Sequence, residues 1–158
     1  MLFLDVPGKE LCTLLLSLTN AEQIKAVRLI YNLMQQQNLV KFVILCYYSL
    51  TVRDLRNLDE QILIYTVNSF IGKEADIVMS LTTRLATVLN DKTGKILFLD
   101  QRLTVALTRA REGIIILGSR ALLERGQLWR QLLKDLDSQI DSVALNDFIK
   151  FYTSSGGL

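Results

Sequence analysis

The chain has 158 residues, of which 50% are apolar and 22% are charged, with 18 Lys and Arg against 16 Asp and Glu. It contains no histidine, which excludes a nucleophile activated by a histidine base and a metal site with histidine ligands. Two cysteines are too few for an all-cysteine zinc site, so any catalysis would rest on Arg, Lys, Asp, Glu or backbone groups.

Apolar runs of strand length alternate with segments of helical period in the first half of the chain. In chain order they predict strands at Leu2–Val6, Phe42–Tyr47 and Ile62–Thr66. Between the first two strands they predict a helix from the N-cap Asn20 to about Gln35, with Gln23 completing a capping box. Between the last two they predict a short helix that is capped by Ser49 and reaches Leu58.

The same alternation continues in the second half. It predicts a strand around Ile77–Met79, a polar loop at Asn90–Lys95, a helix through Leu103–Leu107 that runs into Arg111 and ends at Gly113, a strand at Ile114–Leu117, a helix capped by Ser119, a helix carrying Leu128–Leu133, and a last amphipathic helix at Val143–Phe151 before a flexible end.

Uniformly apolar strands that alternate with helices are typical of a parallel sheet covered on both faces. The predicted fold class is therefore α/β, as one three-layer αβα domain with a mainly parallel sheet. In such folds a ligand binds at the carboxyl ends of the strands, in the loops that follow them.

The charge is unevenly distributed along the chain. Residues 84–130 carry nine basic and four acidic side chains, so an anionic partner is expected there, unless these are scattered, solvated arginines. The longest apolar runs, Phe42–Tyr48 and Ile114–Leu117, are far shorter than the roughly 18 residues of a membrane span. With two unpaired cysteines and no export signal, we expect a cytoplasmic or nuclear protein with no membrane partner.

Thr66–Asp76 places closely spaced polar groups around a glycine after a predicted strand. Gly72 would let the backbone approach a ligand, and neighbouring amides could donate to phosphate oxygens. Lys73 adds a positive charge, and Glu74 could accept hydrogen bonds from a hydroxyl. The alternative is an ordinary turn with a solvated Lys-Glu pair.

Arg102–Arg111 brackets an apolar helix with arginines at positions 102, 109 and 111. A guanidinium group suits phosphate because its planar fork donates two parallel hydrogen bonds. The alternative is that these cations only stabilise the carboxyl end of the helix, which favours positive charge.

Together, and in this order, the two segments resemble motifs V and VI of superfamily 1 helicases, in the branch of the up-frameshift, nonsense-mediated-decay helicase. Motif VI of that branch reads close to R-L-N-V-A-L-T-R-A-R, and Arg102–Arg111 departs from it only at Thr104. Motif V reads close to T-V-D-x-F-Q-G-x-E-x-D, which the chain matches at Thr66, Val67, Phe70, Gly72, Glu74 and Asp76.

Weaker likeness extends the resemblance to residues 1–134 and leaves residues 135–158, read as a helix and tail, unassigned. The additional segments are Phe3–Val6 with Gly8, the group Ser17, Asn20 and Glu22, and Ser119–Leu133.

The resemblance implies a RecA-like lobe of the P-loop NTPase type, the C-terminal one of two lobes that hold ATP with Mg²⁺ between them. By position, Arg109 would be the catalytic arginine finger that stabilises the charge on the transferred phosphoryl group. Gly72, Lys73 and Glu74 would also contact the nucleotide, Gly72 near the γ-phosphate and Glu74 at the ribose. Thr82 and Arg84 would lie on the path of single-stranded RNA or DNA.

Several features depart from the family pattern. Asn68, Ile71 and Thr104 replace Asp, Gln and Asn, and the chain contains neither a G-x-x-x-x-G-K-[ST] sequence nor an acidic pair for Mg²⁺. We therefore expect that the chain cannot hydrolyse ATP without an N-terminal RecA-like lobe, on the same or a separate chain. The alternatives are a catalytically inactive helicase-like interaction module and an unrelated α/β domain.

Overall fold

The computed structural model describes residues 1–12, 18–35, 42–57, 62–85, 100–139, 142–144 and 147. The strands are β1 Leu2–Asp5, β2 Glu10–Cys12, β3 Leu18–Asn20, β4 Phe42–Cys46, β5 Ile64–Thr66, β6 Ala75–Leu81, β7 Ala110–Gly118 and β8 Ser142–Ala144. The helices are α1 Ala21–Gln35, α2 Ser49–Arg56, the short 3₁₀ helix η1 Val67–Phe70, α3 Asp100–Thr108, α4 Arg120–Leu123 and α5 Gln127–Ser138.

Six of the strands form one sheet in the order β5-β4-β6-β7-β1-β8, and every neighbouring pair is parallel. A separate antiparallel hairpin joins β2 to β3. Helices cover both faces of the sheet, so the predicted three-layer α/β fold is confirmed. Residue 134, where the resemblance ends, lies within α5.

The two faces of the sheet bury separate apolar cores, because successive residues of a strand point to opposite sides. One core, here called the α3 face, packs Leu45 and Ile116 against η1, α3 and α5. The other, the α1 face, packs Ile44 and Leu117 against α1 and α2. Burial on both sides explains why the strands read as unbroken apolar runs.

The largest departure from the sequence prediction concerns the helix expected to run into Arg111. The helix ends at Thr108, and β7 begins at Ala110, so Arg111 and Gly113 lie in a strand. Ala75 pairs with Ala110 and donates its N–H to the Arg109 carbonyl at 3.0 Å, which extends the β6–β7 ladder beyond the apolar run.

The end of the chain also differs from the prediction of a helix beginning at Val143. Residues 142–144 form β8, which pairs in parallel with β1 at the edge of the sheet. The hairpin of β2 and β3 was not predicted, because each strand has only three residues. The predicted loop Asn90–Lys95, with Ser17 and Leu58, lies outside the described residues.

The helix caps are partly as predicted. Asn20 Oδ1 accepts the N–H groups of Glu22 and Gln23 at 3.1 and 3.2 Å, which confirms the cap. The capping box is not closed, because Gln23 Oε1 accepts the N–H of Thr83 instead. Ser49 is the first residue of α2 rather than its cap.

The start of α4 follows Ser119 as predicted, but Ser119 supplies no side-chain cap. Asp5 Oδ1, at the end of β1, accepts the N–H of Arg120 at 2.9 Å. A carboxylate is favoured at this end of a helix, and the bond ties α4 to the sheet. Within the described parts of the chain, no helix is long and apolar enough to span a membrane.

Replacing Gly118 with alanine is expected to lower the free energy of unfolding by about 1–3 kcal/mol through overpacking. A Cβ there would lie 2.5 Å from Thr82 Oγ1 and 2.9 Å from Leu123 Cδ1. Gly113→Ala is the matched control in the same strand, since nothing lies within 4 Å of its Cβ position. Urea denaturation measures both; equal stabilities for the two variants would contradict the packing argument.

Candidate functional site

A cavity of about 370 Å³ opens at the edge of the sheet where β6 and β7 begin. Apolar side chains from β4, β5 and η1 form one part of its wall, and polar groups ahead of β6 and on β7 form the rest. The lining residues are Val43, Leu63, Tyr65, Phe70, Gly72, Lys73, Glu74 and Arg111.

The polar wall is built by a short crossover between β5 and β6. The chain leaves β5 at Thr66, passes across β4 as η1 and reaches β6 at Ala75. Thr66 Oγ1 accepts the N–H of Ser69 at 3.2 Å, and Phe70 is buried on the α3 face. The crossover therefore delivers the glycine-containing segment to the amino-terminal edge of the sheet, whereas the sequence analysis expected a ligand at the carboxyl ends.

Gly72 has a φ of +77°, a backbone conformation that residues other than glycine rarely adopt. Nothing lies within 4 Å of the position that its Cβ would take. The backbone at Gly72 is therefore sterically open, and its contact with a ligand stays a prediction.

Lys73 and Glu74 present opposite charges at the cavity. Lys73 Nζ lies 4.5 Å from the centroid of the Tyr65 ring, a cation–π contact that holds the ammonium group over an aromatic wall. Glu74 Oε2 accepts the Nε–H of Arg111 at 2.9 Å. Arg111 Nη1 also lies 4.0 Å from Asp76 Oδ1, so the guanidinium group lies between two carboxylates.

Arg109 lies between α3 and β7, where its carbonyl accepts the N–H of Ala75, the residue after Glu74, and it is not part of the cavity wall. Its Nε and Nη2 donate to Thr108 Oγ1 at 3.3 and 3.0 Å, and that hydroxyl donates to the Thr104 carbonyl. Among the described residues, no carboxylate pairs with its guanidinium group. Arg102, also singled out by sequence, donates instead to the Tyr47 carbonyl at 3.4 Å.

Thr82 and Arg84 lie at the opposite, carboxyl-terminal edge, beyond the end of β6. Both side chains are buried, with 0% and 1% exposure. Arg84 Nε lies 3.8 Å from Glu10 Oε2, and Thr82 Oγ1 donates to the Leu117 carbonyl at 3.3 Å. The structure therefore brings Gly72, Lys73 and Glu74 together near Arg109, and it places the two predicted nucleic-acid residues elsewhere.

Thr83, between those two residues, has a conformation that the sequence does not predict. Its φ is +67°, which is a rare and strained conformation for a β-branched residue. Gln23 Oε1 accepts its N–H at 2.8 Å, Asn20 Nδ2 donates to its carbonyl at 3.1 Å, and its hydroxyl lies 3.1 Å from Thr51 Oγ1. Partners from β3, α1 and α2 thus hold the strained turn, and no local sequence pattern predicts it.

Two titratable side chains near this edge, Cys46 and Tyr47, are buried. Burial raises the pKa of the Cys46 thiol and of the Tyr47 phenol well above their ordinary values. Cys46 is fully enclosed, so it is neither a nucleophile nor a metal ligand as it stands. Within the described part of the chain, no cluster of three or more Cys, Asp or Glu side chains is arranged to hold a metal ion.

The chain is similar to one family model and to several much longer proteins. The family model AAA_12, described as an AAA domain, matches residues 1–121. The chain is 44% identical over 76 residues to the regulator of nonsense transcripts 1 homolog of Drosophila melanogaster, which covers 47% of this chain and 6% of that protein. It is 40% identical over 80 residues to the Arabidopsis thaliana homolog, covering 49% of this chain and 6% of that protein.

A third relative is the helicase SEN1 of Saccharomyces cerevisiae, 35% identical over 72 residues, or 44% of this chain and 3% of that protein. The chain therefore corresponds to a small part of each of these long relatives.

Gln23→Ala is expected to lower the free energy of unfolding by about 1–3 kcal/mol, because it leaves the N–H of Thr83 buried without its acceptor. Arg28→Ala, on the exposed side of the same helix, is the control and should change stability by no more than about 0.5 kcal/mol. The measurement is chemical denaturation. A loss no greater than that of the control would show that Gln23 does not hold the turn.

Proposed function

The chain belongs to the AAA_12 family of AAA domains, the C-terminal part of superfamily 1 helicases, and from that premise we propose that it supplies an arginine finger and part of the ATP cleft of an ATP-dependent RNA or DNA helicase. The nucleotide would be shared with an N-terminal RecA-like lobe, on the same or another chain.

The observation that carries the proposal is the state of Arg109 beside the cavity. Arg111 is paired with Glu74, whereas no carboxylate of the described residues neutralises Arg109. Thr108 Oγ1 instead holds the Arg109 guanidinium group at two of its nitrogens. A preorganised positive charge without a counter-ion favours an anionic ligand, and a forked guanidinium group suits phosphate.

The other residues suit different parts of a nucleotide. Gly72 offers an open backbone, and Lys73 adds a cation, both suited to phosphate oxygens. The Glu74 carboxylate only accepts hydrogen bonds, so it suits a hydroxyl group such as those of a ribose. When bound, ATP with Mg²⁺ would supply the phosphoryl group and the metal charge, and the residues of this chain would orient the nucleotide and stabilise developing negative charge.

One feature favours the second candidate, a helicase-like module that binds a partner without catalysis. Ile71 stands where the related motif has Gln, and 66% of its surface is exposed. An exposed apolar side chain next to Gly72 removes a polar contact from the nucleotide loop. A wild-type protein that binds no nucleotide even with the N-terminal lobe present would decide for this candidate.

Arg109→Ala is expected to lower nucleic-acid-stimulated ATP hydrolysis by about 10³-fold or more, because an arginine finger acts in the transition state. The assay uses the chain together with an N-terminal lobe that carries the P-loop. Arg125→Ala is the matched control, since Arg125 is exposed and lies outside the cavity wall. An unchanged rate of ATP hydrolysis by the Arg109→Ala variant would show that Arg109 is not an arginine finger.

The nucleic-acid role of Thr82 and Arg84 stays a prediction. Because both side chains are buried, contact with a strand would require the carboxyl-terminal edge to open. If Arg84 contacts a phosphate, Arg84→Gln should weaken binding of single-stranded RNA and reduce the slope of log affinity against log salt by about one. An unchanged slope, with thermal unfolding measured alongside, would remove Arg84 from the path.

A further inference from the structure

The pairing of β6 with β7 is irregular next to the cavity. Ala75 pairs with Ala110 and Ile77 with Gly113, so Arg111 and Glu112 both lie opposite Asp76. This two-against-one arrangement is a β-bulge, which redirects the side chains of the strand that carries it.

The bulge decides which face of the sheet Arg111 reaches. Successive residues of a regular strand point to opposite faces of the sheet, and Ile114 packs on the α3 face. Counting back from Ile114 in a regular strand, residue 111 would point to the α1 face. Arg111 instead lines the cavity together with Val43 and Phe70, two residues of the α3 face. The extra residue in β7 therefore brings this arginine to the cavity.

At the cavity, Arg111 fixes one oxygen of Glu74 and leaves the other available. Its Nε donates to Oε2 at 2.9 Å, whereas Oε1 has no partner among the described residues. Both side chains are more than half exposed, so Glu74 without this contact would sample several rotamers in water. The Asp76 carboxylate, 4.0 Å from Nη1, holds the guanidinium group from the other side.

We propose that Arg111 is the positioning residue that makes the cavity selective for a nucleotide with ribose hydroxyl groups, by holding the Glu74 carboxylate ready to accept from them. The inference rests on the proposed function, since it takes the ligand to be a nucleotide. Arg111 acts through Glu74 and does not itself touch the phosphates.

The test compares ATP with 2′-deoxy-ATP and 3′-deoxy-ATP in the chain combined with its N-terminal lobe. The measured quantity is the ratio of kcat/KM for ATP to kcat/KM for each analogue. An ionic hydrogen bond at a partly exposed site gives a preference of about tenfold for ATP over at least one analogue. Arg111→Ala and Glu74→Gln should each reduce that preference to about twofold or less, chiefly through KM.

The double variant should show the same preference for ATP as either single variant, because the two residues act as one unit. Arg111→Lys should retain an intermediate preference, since an ammonium group keeps the charge without the planar fork. Glu112→Ala is the matched control from the same bulge: Glu112 is exposed and outside the cavity wall, so the wild-type preference should persist. Thermal unfolding of each variant separates loss of selectivity from loss of fold.

An Arg111→Ala variant that keeps the preference which Glu74→Gln removes would overturn the inference. A wild type without any preference would overturn it as well. The proposed function would survive both results if Arg109→Ala still lowers kcat alike for ATP and its analogues. A wild type that binds no nucleotide would overturn the inference and the proposed function together.

Discussion

The short return of the chain across β4 is the constraint on which the site depends. Since β5, β4 and β6 are all parallel, the chain must travel from the carboxyl end of β5 back to the amino end of β6 between Thr66 and Ala75. Burying Phe70 anchors this passage, and the positive φ of Gly72 turns it towards β6. The polar residues that follow directly precede β6, so they lie at the amino-terminal edge, beside the start of β7.

The two edges of the sheet consequently carry different chemistry. At the amino-terminal edge, Lys73, Glu74 and Arg111 are exposed, so their charges are solvated and can respond to a ligand. At the carboxyl-terminal edge, Arg84 and Thr83 are enclosed, and hydrogen bonds from α1 and α2 hold the turn. The hydrogen bonds that Gln23 and Thr51 make with Thr83 tie this edge to α1 and α2, so the edge is suited to fixing the fold.

The sequence predicts the fold well where one kind of residue dominates a segment. The five apolar runs became strands of the sheet because burial on both faces leaves no place for polar side chains. The predicted end of the helix, beyond Thr108, was wrong for the opposite reason. Ala110–Gly113 has no apolar period, and it is a strand because it pairs with β6, a contact that local patterns do not contain. β8 is likewise a strand through its pairing with β1.

The site was predictable as a set of residues but not as an arrangement. The motif around Gly72 and the arginines of the second motif were identified by residue type and spacing, and four of those residues, Gly72, Lys73, Glu74 and Arg111, do meet at one cavity. Which arginine lines that cavity depends on one extra residue in β7, and no pattern of charges signals a bulge. Because the side-chain period of a strand is two, one extra residue takes Arg111 out of the alternation that Ile114 sets. Arg111 thereby comes within hydrogen-bonding distance of the Glu74 carboxylate at the cavity.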